Sequence, residues 1–368
     1  MPEPVKAGAR ETCMIRAMVL RARSFVSTAL TLILLGAPAA SFVSPAPVDA
    51  VEATWDIRLL SVDERRRLLA GETVPFNVAE RTDRDLAGGV MAYVAAPFTR
   101  AAESLAESEL AVREPGVVGW GALPERAGPD ALARLRFGLA ESDELLDARP
   151  GSAWNLSGAE MDGLRALRLR LGQAAKGAQA EAASVQYRAL LLHRAQAYRA
   201  GGLGGIEPYA RRGGATTDPG GELRLAAEDA RPLAASALGL PEALLNFPAL
   251  QHAERVSQIY WVERRLQGRI TPILVHQMVE VRPELALHVE RHFFVAQAYN
   301  SSQTMTGAFP WGTGTLLFTV SRVSTDLVTG LGGDMKRAIG RRQLRGDLSG
   351  RLERLRGAVV KAQPPQSP

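Results

Sequence analysis

One cysteine in 368 residues excludes an internal disulfide framework and every multi-cysteine zinc site. Lysine is also scarce: there are four, so 40 of the 44 basic residues are arginine. With the high Ala and Gly content, this reads as a GC-rich bacterial genome rather than arginine-based recognition. No Gly-x-Ser-x-Gly elbow and no Walker loop is present, which removes the α/β-hydrolase and P-loop readings. Gly330-Leu331-Gly332-Gly333 stops short of a dinucleotide loop, because Met335 stands where the third glycine is needed. His288-Val-Glu-Arg-His292 has the wrong order for a zincin helix. No standard catalytic motif is left, so no catalytic residue is assigned and no cofactor is called for.

What is present begins at the N-terminus. Lys6, Arg10, Arg16, Arg21 and Arg23 precede an apolar stretch from Phe25 to Leu35, and the small residues Gly36 to Ala40 follow. A positive n-region, a short h-region and an Ala-x-Ala site at Ala37-Pro38-Ala39 describe a secretory signal peptide over residues 1–40. The apolar stretch is about half the ~20 residues that span a bilayer. Export to the periplasm or the medium is therefore expected. Cys13 lies in the leader, so the mature chain lacks cysteine, which suits an oxidising compartment. It carries 39 bases and 37 acids.

Residues 41–54 read as a linker, 55–361 as one large domain and 362–368 as a disordered tail. A capping box at Ser61–Glu64 predicts a short helix. Thr73 to Val78 suits an edge strand, and Gly89 to Ala95 a firmer one. A helix opens at Pro97, and Val117 to Leu123 is a further short strand. A second capping box at Ser157–Glu160 opens a helical stretch over 157–200. Residues 201–221, rich in glycine, read as a flexible loop. A helix is expected over Glu254 to Leu266. Strands are expected over Arg269 to Val281, Leu285 to Tyr299 and Gly314 to Val323, and a helix from about Asp334 to Lys361. Consecutive strands give an α+β class: an antiparallel sheet packed on a long C-terminal helix, with a helical insertion in the middle.

Three constellations could carry function. Tyr260, Trp261, Phe293, Phe294, Tyr299, Trp311 and Phe318 crowd into one region and could line a cavity for an apolar small molecule or lipid; a plain core needs the same residues. His288, Glu290 and His292 share one face of a strand and, with His276, could hold a metal or do acid–base work, although a polar strand face looks the same. Residues 336–361 carry nine bases against two acids. Lys336, Arg337, Arg341, Arg342 and Arg345 could meet an anionic membrane or an acidic partner, or simply be the solvated face of a docked helix. Nucleic acid is not expected, because no stacking aromatics interleave with these arginines.

With these residues in view, the chain resembles the helix-grip (START-like) lipid- and polyketide-binding proteins. The likeness rests on Val90 to Ala96 as a first strand followed by a helix at Pro97, and on Gly314 to Val323 as a last strand feeding the final helix. It implies a sheet wrapped around that helix with an apolar cavity between them. The stretch from Tyr260-Trp261 to Lys336-Arg337 is also similar to uncharacterised exported bacterial proteins. The function expected is thus non-catalytic binding of an apolar ligand or a protein partner, with a metal-dependent enzyme and a membrane-surface protein as alternatives.

Overall fold

Local chemistry starts the elements where the sequence places them. In the computed structural model, which describes residues 60–107, 110, 112–229, 240–249 and 256–361, the Ser61 hydroxyl accepts from the Glu64 N–H. The Glu64 carboxylate takes the Ser61 N–H at 2.8 Å, and helix α1 (Val62–Leu69) begins there. The leader and the linker fall outside the described residues, as does the tail. Strands β1 (Thr73–Phe76) and β2 (Asp85–Val94), helix α2 (Phe98–Glu107) and strand β3 (Val117–Ala122) follow. The insertion comprises α3 (Leu139–Leu146), α4 (Gly158–Leu171), α5 (Lys176–Gly201), the two-residue strands β4 (Tyr209–Ala210) and β5 (Thr216–Thr217), α6 (Pro219–Asp229) and α7 (Leu240–Asn246). The chain then runs through β6 (Val256–Leu266), β7 (Arg269–Val281), β8 (Ala286–Val295), β9 (Ser301–Trp311) and β10 (Gly314–Ser324) to α8 (Gly333–Lys361).

Eight strands form one antiparallel sheet in the order β1-β2-β10-β9-β8-β7-β6-β3. The first long strand therefore pairs with the last, from Asp85↔Ser324 to Val94↔Thr315. The insertion α3–α7 leaves after β3 and returns at β6, its neighbour in the sheet. The α+β reading holds: a long C-terminal helix lies against an antiparallel sheet, and a helical insertion separates its strands.

Helices cover both faces. On one, Ala92, Ala286, Ala308 and Leu317 of the sheet meet Ala101 and Leu105 of α2 and Leu348, Leu352 and Leu355 of α8. Alanine at the sheet positions allows close approach there. On the other, α4 and α5 bury Leu164, Tyr187 and Tyr198 against Trp261, Phe293 and Phe294. Beside them, α1, α6 and α7 contribute Leu68, Ala227 and Leu244 to a cluster with Met278, Leu287 and Phe318. All of these residues belong to one compact unit.

Two expectations are corrected. The segment around 254–266 is not a helix: from Val256 it is β6. Ile259-Tyr-Trp-Val262 is β-branched and aromatic, and Gln267-Gly268, both at positive φ, close a two-residue hairpin onto β7. Strand β9 (Ser301–Trp311) is additional to the expected strands and contains Gly307 and Pro310. Gly307 is required: a Cβ there would lie against the Phe318 ring and 2.8 Å from Leu287 Cδ2. Residues 201–221 contain a short 3₁₀ turn, the β4–β5 pair with Tyr209 buried, and the first turn of α6.

Candidate functional site

Helix α8 has 29 residues, about 43 Å. Its buried positions, Leu348, Arg351, Leu352, Leu355 and Val359, all lie in its C-terminal half. The N-terminal half touches β2 at Gly340, where a Cβ would come within 2.7 Å of Leu86. Between that half and the sheet lies an open cleft of about 580 Å³.

The period-two geometry of three adjacent strands builds the cleft floor. Register places His288 beside Thr306 and Thr319, Glu290 beside Thr304 and Ser321, and His292 beside Ser302 and Val323. The hydroxyls pair across β9 and β10: Thr304 with Ser321 at 2.8 Å, and Thr306 with Thr319 at 3.1 Å. Leu86, Val262, Ile273, Val323, Leu344 and Leu348 supply apolar wall. The cleft is thus hydroxyl-bearing along its floor, with walls that mix these apolar residues with charged and polar ones such as Arg264, Gln343 and Asp347.

A buried chain of charges closes its inner end. His288 Nδ1 faces the Leu105 carbonyl at 3.2 Å, and Nε2 faces Glu290 Oε1 at 3.1 Å. Arg351 of α8 donates to the same oxygen at 2.6 Å and lies 3.4 Å from Glu114. Arg354 donates to Glu114 at 3.0 Å. Burial pushes the Glu290 carboxyl up, but Arg351 and His288 outweigh it and hold it well below the usual carboxylate range. The same pairing, with Glu114, raises the Arg351 guanidinium against its own burial. This chain fastens α8 and α2 to the sheet.

His292 is the imidazole that reaches the cleft. Its Nδ1 lies 2.7 Å from the Tyr299 hydroxyl, which is itself hydrogen-bonded to Ser302. Burial, then the positive charges of Arg264 and Arg351, push His292 down to about 4 despite the opposing pull of Glu290. Burial pushes Tyr299 up to about 12. At neutral pH a protonated phenol therefore faces a neutral imidazole, and the hydrogen bond between them uses Nδ1 and leaves Nε2. That nitrogen has no hydrogen-bond partner among the described residues. The arrangement can orient a polar group by hydrogen bonding.

The sequence-derived sites divide. His288, Glu290 and His292 do share a face, but His276 lies on the opposite one. There it binds Tyr198 Oη at 2.8 Å and Ser257 Oγ at 2.9 Å. Burial, with Arg291 and Arg199 nearby, holds it well below its ordinary value. Among the described residues, no group of three or more His, Cys, Asp and Glu side chains could hold a metal ion.

Of the aromatic candidates, Tyr299 lines the cleft. The others pack elsewhere. Phe293 stacks on Tyr198 with centroids 4.1 Å apart, Phe294 lies under Arg194, and the Trp261 indole donates to the Ala131 carbonyl. Trp311 meets Tyr93 edge-on, Phe318 sits against Phe309, and Tyr260 packs with Val275 and Val295. Trp261, Phe293, Phe294 and Phe318 form core under the helices of the insertion, which needs an apolar sheet face to cover; Trp311 is half-buried beside them, and Tyr260 is buried on the other face with Val262.

On the basic face, Arg337 binds Asp334 and the Asp83 carbonyl, Arg341 binds Glu80, and Arg345 donates to Asn77 at 2.9 Å. Lys336 reaches the Thr329 carbonyl at 3.4 Å, and exposed Arg342 has no partner among the described residues. Sequence reasoning missed Ser302, Thr304, Ser321 and Arg351. The alternation of hydroxyl residues in β9 and β10 was the available signal.

No helix among the described residues is long and apolar enough to cross a membrane. No family model, no curated protein and no solved structure matches the chain.

Proposed function

We propose that this chain is an exported, non-catalytic binding protein of helix-grip type that holds an amphipathic small molecule between α8 and the sheet. The observation that carries the reading is the cleft of about 580 Å³, with apolar residues among charged ones on its walls, a hydroxyl floor and the His292–Tyr299 pair. Pockets that combine apolar lining with a few placed polar groups are the usual form of small-molecule sites. The pairing of the first long strand with the last, and the final helix across the sheet, support the helix-grip comparison. The N-terminal charge and hydropathy pattern supports export.

Titration with a fluorescent fatty-acid analogue, dansyl-undecanoate, tests the binding reading. A saturable, blue-shifted signal at micromolar probe is expected. The cleft-filling substitution Thr304→Phe should weaken it at least tenfold. No binding, or binding indifferent to that substitution, overturns the proposal.

A second reading concerns the mouth of the cleft. Leu331, Met335 and Ile339, at spacings of four, are 99%, 69% and 61% exposed. Ile339, Lys336 and exposed Leu327 border the cleft, and Arg342 lies one turn further along α8. Apolar residues flanked by cations favour an anionic membrane surface, from which an amphipathic ligand would be taken up. Co-flotation with phosphatidylglycerol vesicles is expected, with loss of binding in the double variant Leu331→Glu, Met335→Glu. Binding that survives this change refutes the membrane reading.

A further inference from the structure

A second hollow of about 340 Å³ adjoins the cleft. The two share Leu266, Gln267, Ala298, Tyr299, Thr325 and Leu327 as lining. Its remaining wall is polar, and almost all of that polarity is already engaged. Arg211 donates to Asp326 at 2.7 Å, to Thr217 at 3.0 Å, to Asn155 at 2.9 Å and to Asn300 at 3.1 Å. Arg269 forms a two-pronged pair with Glu144.

Two side chains break the pattern. Thr271 and Gln297 line this hollow and are 1% and 6% exposed. Thr271 Oγ1 and Gln297 Oε1 have no hydrogen-bond partner. Buried polar atoms are nearly always paired, and two unpaired ones on the wall of a single hollow are what a bound polar group would explain. The wall residue Ala298 holds φ at +80°, a left-handed conformation that a residue with a side chain rarely adopts. Strain of this kind concentrates at ligand sites.

The chemistry of the vacant partner follows from what is already balanced. Arg269 is paired with Glu144, and Arg211 is held by Asp326, which it shares with Arg84, so each guanidinium already has a carboxylate partner with which an anion would have to compete. An ammonium would lie against those same guanidinium groups. What is left open is one acceptor oxygen, on Gln297, and one hydroxyl, on Thr271, that can accept or donate; a group that is itself both donor and acceptor suits the two. We propose that this hollow binds an uncharged, hydroxyl-bearing group, with Gln297 Oε1 and Thr271 Oγ1 as its partners. It serves as the head-group site of an amphiphile whose apolar part occupies the cleft. The assignment rests on the binding reading given above.

Three amphiphiles with one eight-carbon tail separate the possibilities: octyl β-glucoside, octanoate and octyltrimethylammonium, each titrated below its micelle concentration by saturation-transfer NMR. The glucoside is expected to bind about tenfold tighter than either ion. The double variant Thr271→Val, Gln297→Leu removes both open oxygens at nearly constant volume. It should lose that about tenfold advantage, the scale of two neutral hydrogen bonds, while keeping its melting temperature and its dansyl-undecanoate affinity.

Equal binding of the three amphiphiles, or a glucoside affinity unchanged in the variant, means that the hollow holds water alone. The head-group assignment then falls while the cleft reading stands. If wild type binds neither dansyl-undecanoate nor the glucoside, both fall.

Discussion

His292 gives the most direct test of the cleft environment. Its ordinary value is 6.5, and the folded protein holds it near 4. Between these values the unfolded chain takes up a proton that the native state refuses. Stability therefore rises with pH across this window. Its contribution is complete above pH 6.5 and is lost as pH falls toward 4. At ~1.4 kcal/mol per pKa unit, the loss is about 2–3 kcal/mol, allowing for partial solvent screening of a half-buried ring.

Replacing His292 by Gln removes the titration and keeps a partner for Tyr299. Urea unfolding followed by tryptophan fluorescence, from about pH 7 to pH 4, measures both proteins. The variant's stability relative to wild type should climb by about 2–3 kcal/mol over that range. The difference is the quantity to use, because Glu222 slopes the other way. Burial raises Glu222 to about 7 from 4.5, so its contribution is present below pH 4.5 and is lost as pH rises toward 7. In wild type the two slopes largely offset between pH 4.5 and 6.5. A difference that stays constant within about 1 kcal/mol would refute the argument. It would mean that His292 titrates as it does in water and that the floor of the cleft is fully solvated.

Other expectations follow from the same geometry. Glu222→Gln should leave wild type's acid-side loss uncovered, so that the variant gains about 2–3 kcal/mol relative to wild type between pH 4.5 and 7, read from the same urea series. Arg351→Met leaves Glu290 buried with only His288 beside it. The expected loss is about 3–5 kcal/mol at neutral pH, measured by chemical denaturation, and a loss below about 1 kcal/mol contradicts a fastening role for this pair. Gly307→Ala should destabilise by about 1–3 kcal/mol, because the added methyl meets Phe318 and Leu287 in a packed core.

How far the fold was legible depends on how local its signals are. The capping boxes at Ser61 and Ser157 stand where the sequence places them, since an N-cap is decided within four residues. The strand around Val90, the last strand and the final helix were legible from β-branched and amphipathic patterns. Strand β6 was misread because Glu263-Arg264-Arg265 looks like a solvated helix face. In the folded chain these residues sit at the hairpin end of the strand, half-buried or exposed. Only pairing with β7, a non-local fact, shows that.

The site was less legible than the fold, and for a related reason. Aromatic crowding is read as a cavity only if the sheet face it occupies is left uncovered. Here the insertion α3–α7 covers that face, so Trp261, Phe293 and Phe294 became core. The face left partly open is the one with Ser302, Thr304 and Ser321, residues that look like an exposed strand edge in a linear reading. Alternation of hydroxyls in two neighbouring strands has two explanations, solvent or a polar-floored cleft, and sequence alone weighs them equally. The overhang of α8 decides between them. Its buried positions lie only in its C-terminal half, and its N-terminal half shows Met335 and Ile339 to solvent instead of burying them, as does Leu331 just before it. A helix that docks by one end over a hydroxyl-lined sheet leaves a space that no short motif announces.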